Sequence, residues 1–144
     1  MTMKRSLLVL VLLPLVAGCS MMGLKKPDRI IGSWTAIHES GVEVIFEFKP
    51  DRTMFCTVPD ASEYSFAASY SIDYSNDPAA VDLTEITGSQ LPSFCRGIVK
   101  FSGEDRMIFL GRFRDSGDII RPENFESSSA DMGDIYLEFK KTTK

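Results

Sequence analysis

The stretch Ser62-Glu63-Tyr64-Ser65-Phe66-Ala67-Ala68-Ser69-Tyr70-Ser71-Ile72-Asp73-Tyr74 alternates without a break. Tyr64, Phe66, Ala68, Tyr70, Ile72 and Tyr74 fall on one side, and Glu63, Ser65, Ala67, Ser69, Ser71 and Asp73 on the other. Successive side chains of a strand point to opposite faces, so this period of two predicts a strand with one face buried and one wet. That is the mark of antiparallel sheet. The same period continues in both directions. Val44, Phe46 and Phe48 alternate with Glu43, Glu47 and Lys49, with Ile45 alone out of phase. Ile135, Leu137 and Phe139 alternate with Asp134, Tyr136, Glu138 and Lys140. No window sustains a period of 3.6, so helix is expected to be scarce.

Eight strands can be placed, at about residues 33–40, 43–49, 52–58, 62–74, 80–86, 95–101, 106–113 and 134–140. The breaks between them carry turn residues: Ser40-Gly41, Pro50-Asp51, Pro59-Asp60, Asn76-Asp77-Pro78, Gly88, Gly103-Glu104-Asp105 and Gly117. Short breaks favour hairpins between sequence neighbours. The expected fold is therefore all-β, an eight-stranded antiparallel up-and-down barrel whose closure removes exposed strand edges. A two-sheet sandwich is the alternative. Val44, Phe46, Phe48, Tyr64, Phe66, Tyr70, Ile72, Leu137 and Phe139 are expected to face inward. The one long connection, 115–133, is either functional or mobile on length alone. There is no internal repeat and no sign of a second folded domain.

The N-terminus reads differently. Lys4 and Arg5 precede an apolar run over 7–16, too short for a membrane span of ~20 residues but suited to a secretory signal peptide. The run ends in Leu15-Val16-Ala17-Gly18-Cys19, which resembles the lipobox of bacterial lipoproteins. That resemblance implies cleavage after residue 18, a diacylglyceryl thioether on Cys19 and usually N-acylation of the new terminus. Two or three acyl chains give stable membrane attachment where one does not. Ser20 in place of the inner-membrane residue Asp resembles an outer-membrane signal, so the expected location is the cell envelope, on the outer membrane facing the periplasm. Residues 19–29, with Gly23 and Pro27 as helix breakers, read as a tether whose ten residues after Cys19 span at most ~33 Å. The organisation is then a signal peptide over 1–18, a lipidated tether over 19–29 and a barrel domain over 30–144. Removing residues 1–18 leaves 126 residues with a side-chain charge of about −6, His38 counted as neutral. An acidic chain without a basic run is not built for nucleic acid.

Further residues carry a second resemblance. Gly32-Ser33-Trp34 looks like the G-x-W of lipocalins. Tyr70-Ser71-Ile72-Asp73, Pro78, Val81-Asp82-Leu83-Thr84, Gly88, Gly97-Ile98 and Arg121-Pro122-Glu123-Asn124-Phe125 resemble, in order, the motifs of a bacterial lipocalin-like domain: Y-x-I-D, N-P-K-A-I-D-L-T, G, G-I-Y and R-P-x-x-F. The chain departs from that pattern at Asp77, Ala79 and Val99, where Asn, Lys and Tyr are usual. The resemblance covers about residues 32–140 and implies a fold. It implies no mechanism, because that family has no established activity. In lipocalins the equivalent of Trp34 plugs the closed barrel end beneath an Arg, so Trp34 is either stacked under Arg121 or simply a core residue.

Few residues invite catalysis. His38 is the only histidine and has no nucleophile elbow to serve. Asp73 and Asp82 are a conceivable acid pair, but at strand ends carboxylates more often accept turn N–H groups. One His and two distant Cys do not make a zinc site. No cofactor motif occurs. With Cys19 assigned to lipid, Cys56 and Cys95 form either a disulfide, as in an oxidising compartment, or two buried thiols. In a meander their strands lie three places apart, on the order of 14 Å, which opposes a bond. The expectation is a non-catalytic domain that binds at the barrel mouth or on the 115–133 connection, with Arg121, Pro122 and Phe125 as candidate contacts. An inward set rich in aromatics favours an envelope protein as partner. A small apolar ligand carried inside is the alternative, and a continuous apolar cavity above ~300 Å³ would favour it.

Overall fold

The computed structural model describes residues 28–115, 118–128 and 133–143. The predicted signal peptide, Cys19 and the tether up to residue 27 lie outside the described residues. Eight strands follow in order: β1 (Gly32–Ile37), β2 (Glu43–Phe48), β3 (Thr53–Thr57), β4 (Phe66–Asp73), β5 (Ala79–Thr87), β6 (Phe94–Ser102), β7 (Arg106–Arg114) and β8 (Asp134–Lys141). Each pairs antiparallel with its sequence neighbour and β8 returns to β1, so the sheet is a closed up-and-down barrel. This architecture is the expected one and is consistent with a lipocalin-like fold. The β1–β8 seam is short, with Trp34 opposite Lys141 and Thr35 opposite Lys140. The Thr142 N–H extends it by donating to the Ser33 carbonyl at 2.8 Å. Among the described residues, helix is confined to two 3₁₀ turns, Ser62–Tyr64 and Phe125–Ser127.

The first of those turns corrects one boundary. Alternation alone carries β4 back to residue 62, but the strand begins at Phe66. The β3–β4 connection must reverse direction, and local hydrogen bonds do it: Tyr64 N–H to Ala61 O and Ser65 N–H to Ser62 O, both 3.0 Å. The Ser65 hydroxyl accepts the Val58 N–H at 2.9 Å. Tyr64, expected inside, is consequently 45% exposed. Val44 and Ile72 are half-buried but packed against the core; the other six predicted inward residues are buried. β5 carries one extra residue against β4 between the Ser69–Thr84 and Ala67–Thr87 pairs, and Glu85 there takes a left-handed φ of 53°. This bulge shifts the inward position after Leu83 to Ile86.

The core is a network of rings. Phe46 has ring centroids at 4.7 Å from Phe139, 5.4 Å from Phe109, 5.9 Å from Phe48 and 6.4 Å from Phe66. Gly97 and Gly111 face each other across β6 and β7. A Cβ at Gly111 would lie 2.6 Å from the Phe109 ring and 2.7 Å from Cys95 Sγ, so the lack of a side chain there is what lets that ring fold down.

A second layer lies outside the barrel. Ile98 and Leu110 sit at outward positions yet are buried, together with Ile119 and Pro122 of the long connection. Arg112 beneath it makes a double hydrogen bond to Asp134 at 2.6 and 3.0 Å and donates to Ile120 O at 2.8 Å. Residues 118–122 are therefore a strap bound to the outer wall of β5–β8.

Candidate functional site

The two ends of the barrel differ in what fills them. At one end the chain enters at Asp28, and Ile30 and Trp34 are fully buried. The Trp34 indole N–H donates to Ile30 O at 2.8 Å. Lys141 Nζ lies 5.1 Å from the centroid of the Trp34 ring. A cation does cover the tryptophan, but it is Lys141, set opposite Trp34 at the seam, and not Arg121. Gly32, with φ at 130°, leaves room for it, since a Cβ there would meet the Lys141 stem at 2.8 Å. Phe48, Met54, Tyr70 and Met107 pack the same half, and Tyr70 donates its hydroxyl to Lys49 O at 2.7 Å. This end is closed.

The opposite end is formed by the C-termini of β1, β3, β5 and β7 and the N-termini of β2, β4, β6 and β8. Several of its inward positions carry small side chains: Ala36, Val44, Cys56 and Val58. An apolar cavity of about 340 Å³ opens here, walled by Phe46, Phe66, Phe109, Phe113, Ile135 and Leu137. Its polar groups stand at the mouth: His38, Ser40 and Tyr64. A deep apolar space with a few polar groups at its rim is the usual build of a small-molecule site. A second hollow of about 490 Å³ at the closed end mixes Val99 and Phe101 with the opposite charges of Asp28, Asp77, Arg29 and Lys100, and lacks that separation.

His38 Nδ1 lies 2.8 Å from Ser40 Oγ, a nucleophile–base pair in distance that strand assignment alone did not reveal. The same nitrogen accepts the Ser40 N–H at 3.2 Å, and the turn is closed by Gly41 N–H to His38 O at 2.7 Å. Among the described residues no carboxylate is bonded to the ring to orient it as a triad would require. The geometry caps a hairpin turn.

The predicted contacts on the long connection are engaged elsewhere. Arg121 forms an ion pair with Asp82 at 2.8 Å and donates to Val81 O at 3.0 Å and Gly97 O at 2.8 Å. Pro122 is buried, and the half-buried Phe125 meets Tyr136 edge-on at 6.4 Å. Asp73 accepts the Ser75 N–H at 2.9 Å, and hydrogen bonds from Ser75 hold its carboxyl below the ordinary range, aided weakly by Arg121. Asp73 and Asp82 are therefore not an acid pair. The motif residues Asp82, Gly97 and Arg121 do meet, on the outer wall, where they anchor the strap. Arg121→Ala is expected to lower stability by about 1.5–3 kcal/mol, the range for hydrogen bonds to a charged group. Limited proteolysis should then cut within residues 116–128 sooner than in the parent protein; unchanged cleavage would show that the strap is held by its apolar side chains alone.

Cys56 and Cys95 are both buried free thiols, so the structure realises the unbonded alternative. Burial pushes the Cys56 thiol up to about 12 and raises that of Cys95 further. A thiol that stays neutral in the fold but ionises in the unfolded chain stabilises fully below the unfolded value of ~8.5, and that contribution is lost as pH rises toward the folded value. At pH 7.5 neither thiol should react with iodoacetamide over hours in buffer, and both should react in minutes in 8 M urea. One intact mass would report the count, and a 2 Da deficit would reveal a bond. Among the described residues no group of three or more His, Cys, Asp or Glu side chains converges.

No protein family, curated protein or solved structure matches this chain.

Proposed function

We propose that this protein is a lipid-anchored carrier that holds one small apolar ligand in the open half of its barrel. The observation that carries the reading is the cavity of about 340 Å³ with apolar walls and polar groups confined to its mouth. An apolar cavity of ~150 Å³ accepts benzene, so this one has room for about a dozen non-hydrogen atoms, enough for the naphthyl ring of a larger probe whose remaining ring stands at the open mouth. The preference for a protein partner depended on aromatic side chains filling the interior. They close one half; in the other, Phe46, Phe66, Phe109 and Phe113 wall a space without filling it. The chain enters at the closed end, so a tether from a lipidated Cys19 would leave the mouth facing away from the membrane. The anchor itself, and with it an envelope location, rests on the basic start, the apolar run and the Leu15–Cys19 sequence.

Titration of the purified barrel domain with N-phenyl-1-naphthylamine, a neutral apolar probe that fluoresces out of water, tests the carrier reading. Saturable enhancement is expected, with Val44→Phe, which fills the mouth, weakening it at least tenfold while the melting temperature is kept. Equal enhancement in both proteins, or none in either, overturns the reading. The mass of the mature N-terminus tests the anchor: a terminus at any residue other than Cys19, or an unmodified Cys19, removes it.

A further inference from the structure

We infer that the ligand is a cationic amphiphile, its apolar chain inside the barrel and its positive head at the mouth. The inference rests on the carrier reading and adds the charge of the ligand to it. Four carboxylates lie at this end of the barrel, in or next to the 38–42 and 58–65 loops, each adjacent in sequence to a lining residue without lining the cavity itself. Glu39 lies between the lining residues His38 and Ser40, Glu43 between Val42 and Val44, Asp60 beside Ala61, and Glu63 beside Tyr64. Glu39, Asp60 and Glu63 are exposed and Glu43 is half-buried, and none of the four is in an ion pair among the described residues. Residues 38–43, 58–65 and 87–93, which make three of the four loops at this end, contain no Lys or Arg. On the fourth side Arg114 ends β7, beside Asp115, while Arg112 and Arg121 are held on the outer wall by Asp134 and Asp82.

The field at the mouth is therefore negative, while the wall behind it carries no charged side chain. An apolar wall alone would not distinguish head groups, because the tail contacts are the same for each. The rim does. A unit charge ~10 Å from four carboxylates through water, at ~0.1 M salt, favours a cationic over an anionic head by roughly tenfold. Tyr64 lines the same rim and is 45% exposed, and an aromatic ring is the group that receives quaternary ammonium heads. Amphiphiles with a carboxylate or phosphate head are disfavoured by the same field.

The test compares three ten-carbon probes, decyltrimethylammonium, decanol and decanoate, as competitors of N-phenyl-1-naphthylamine at pH 8. The expected order is cation, alcohol, anion, with about tenfold between the ends at ~0.1 M salt, shrinking to within about twofold at ~0.5 M. The variant Glu39→Gln/Glu43→Gln/Asp60→Asn/Glu63→Gln should bind decanol as before and lose the preference. If decanol competes but decanoate equals or beats the cation, or if the variant keeps the preference, the charge inference is wrong and the carrier reading stands. If none of the three competes and N-phenyl-1-naphthylamine itself fails to bind, both are wrong.

Discussion

Arg112→Ala is expected to destabilise the protein by about 3–5 kcal/mol, the usual result of removing one partner of a buried ion pair. The Arg112 and Asp134 side chains are only 6% and 0% exposed, and the guanidinium takes both carboxylate oxygens. The hydrogen bond from Asp134 raises the Arg112 pKa still further, so the guanidinium stays charged. Without Arg112 a buried carboxylate loses its neutralising charge, and Ile120 O loses its donor on the strap. The loss is a large share of the ~5–15 kcal/mol that holds a typical domain together. The double variant Arg112→Met/Asp134→Leu separates charge burial from strap anchoring, because replacing both members by apolar groups is often neutral. Urea titration of the three proteins decides the matter. A single variant within ~1 kcal/mol of the parent would show that water reaches the pair.

Phe46→Ala should cost a similar ~3–5 kcal/mol, as truncation of a buried aromatic residue does. The ring is 2% exposed and is the hub of four others, on β2, β4, β7 and β8. Those strands come from both sides of the barrel, so the ring ties opposite walls together. Phe46 also forms the floor of the cavity. Its removal should therefore deepen the site as well as weaken the fold, and N-phenyl-1-naphthylamine binding should be retained or improved where stability falls. Loss of stability together with loss of probe binding would mean that the cavity collapses when the hub is gone. A cost below ~1 kcal/mol would mean that neighbouring rings close the gap.

The strand assignment and the pairing of sequence neighbours were legible because both are local. Period-two alternation reports one buried face per strand, and turn residues at short spacing allow only neighbour pairing. That is why Phe46, Phe48, Phe66, Tyr70, Leu137 and Phe139 could be placed inside from position alone. The rule failed at Tyr64, where the alternation persists on paper but three hydrogen bonds fold residues 62–65 into a turn. It was also silent about Ile98 and Leu110. Their outward phase predicts exposure, and only the strap laid over them buries them.

The site divides in the same way. The ordered motifs ending at Arg121-Pro122 marked residues that do meet, but what they assemble is the strap anchor. Nothing in their spacing says whether an Arg reaches over Trp34 or onto the wall of β5 and β6. Composition counts the aromatic residues without saying which end of the barrel they occupy. Alternation and turns settle which face each strand buries and which strands are neighbours, since both depend on contacts close in the chain. The axial position of each side chain depends on the stagger of all eight strands around a closed circuit, on the β5 bulge and on the seam where Lys141 meets Trp34. Those relations join residues up to about a hundred positions apart, so the open half of the barrel, and the acidic loops gathered around it, exist only once the circuit has closed.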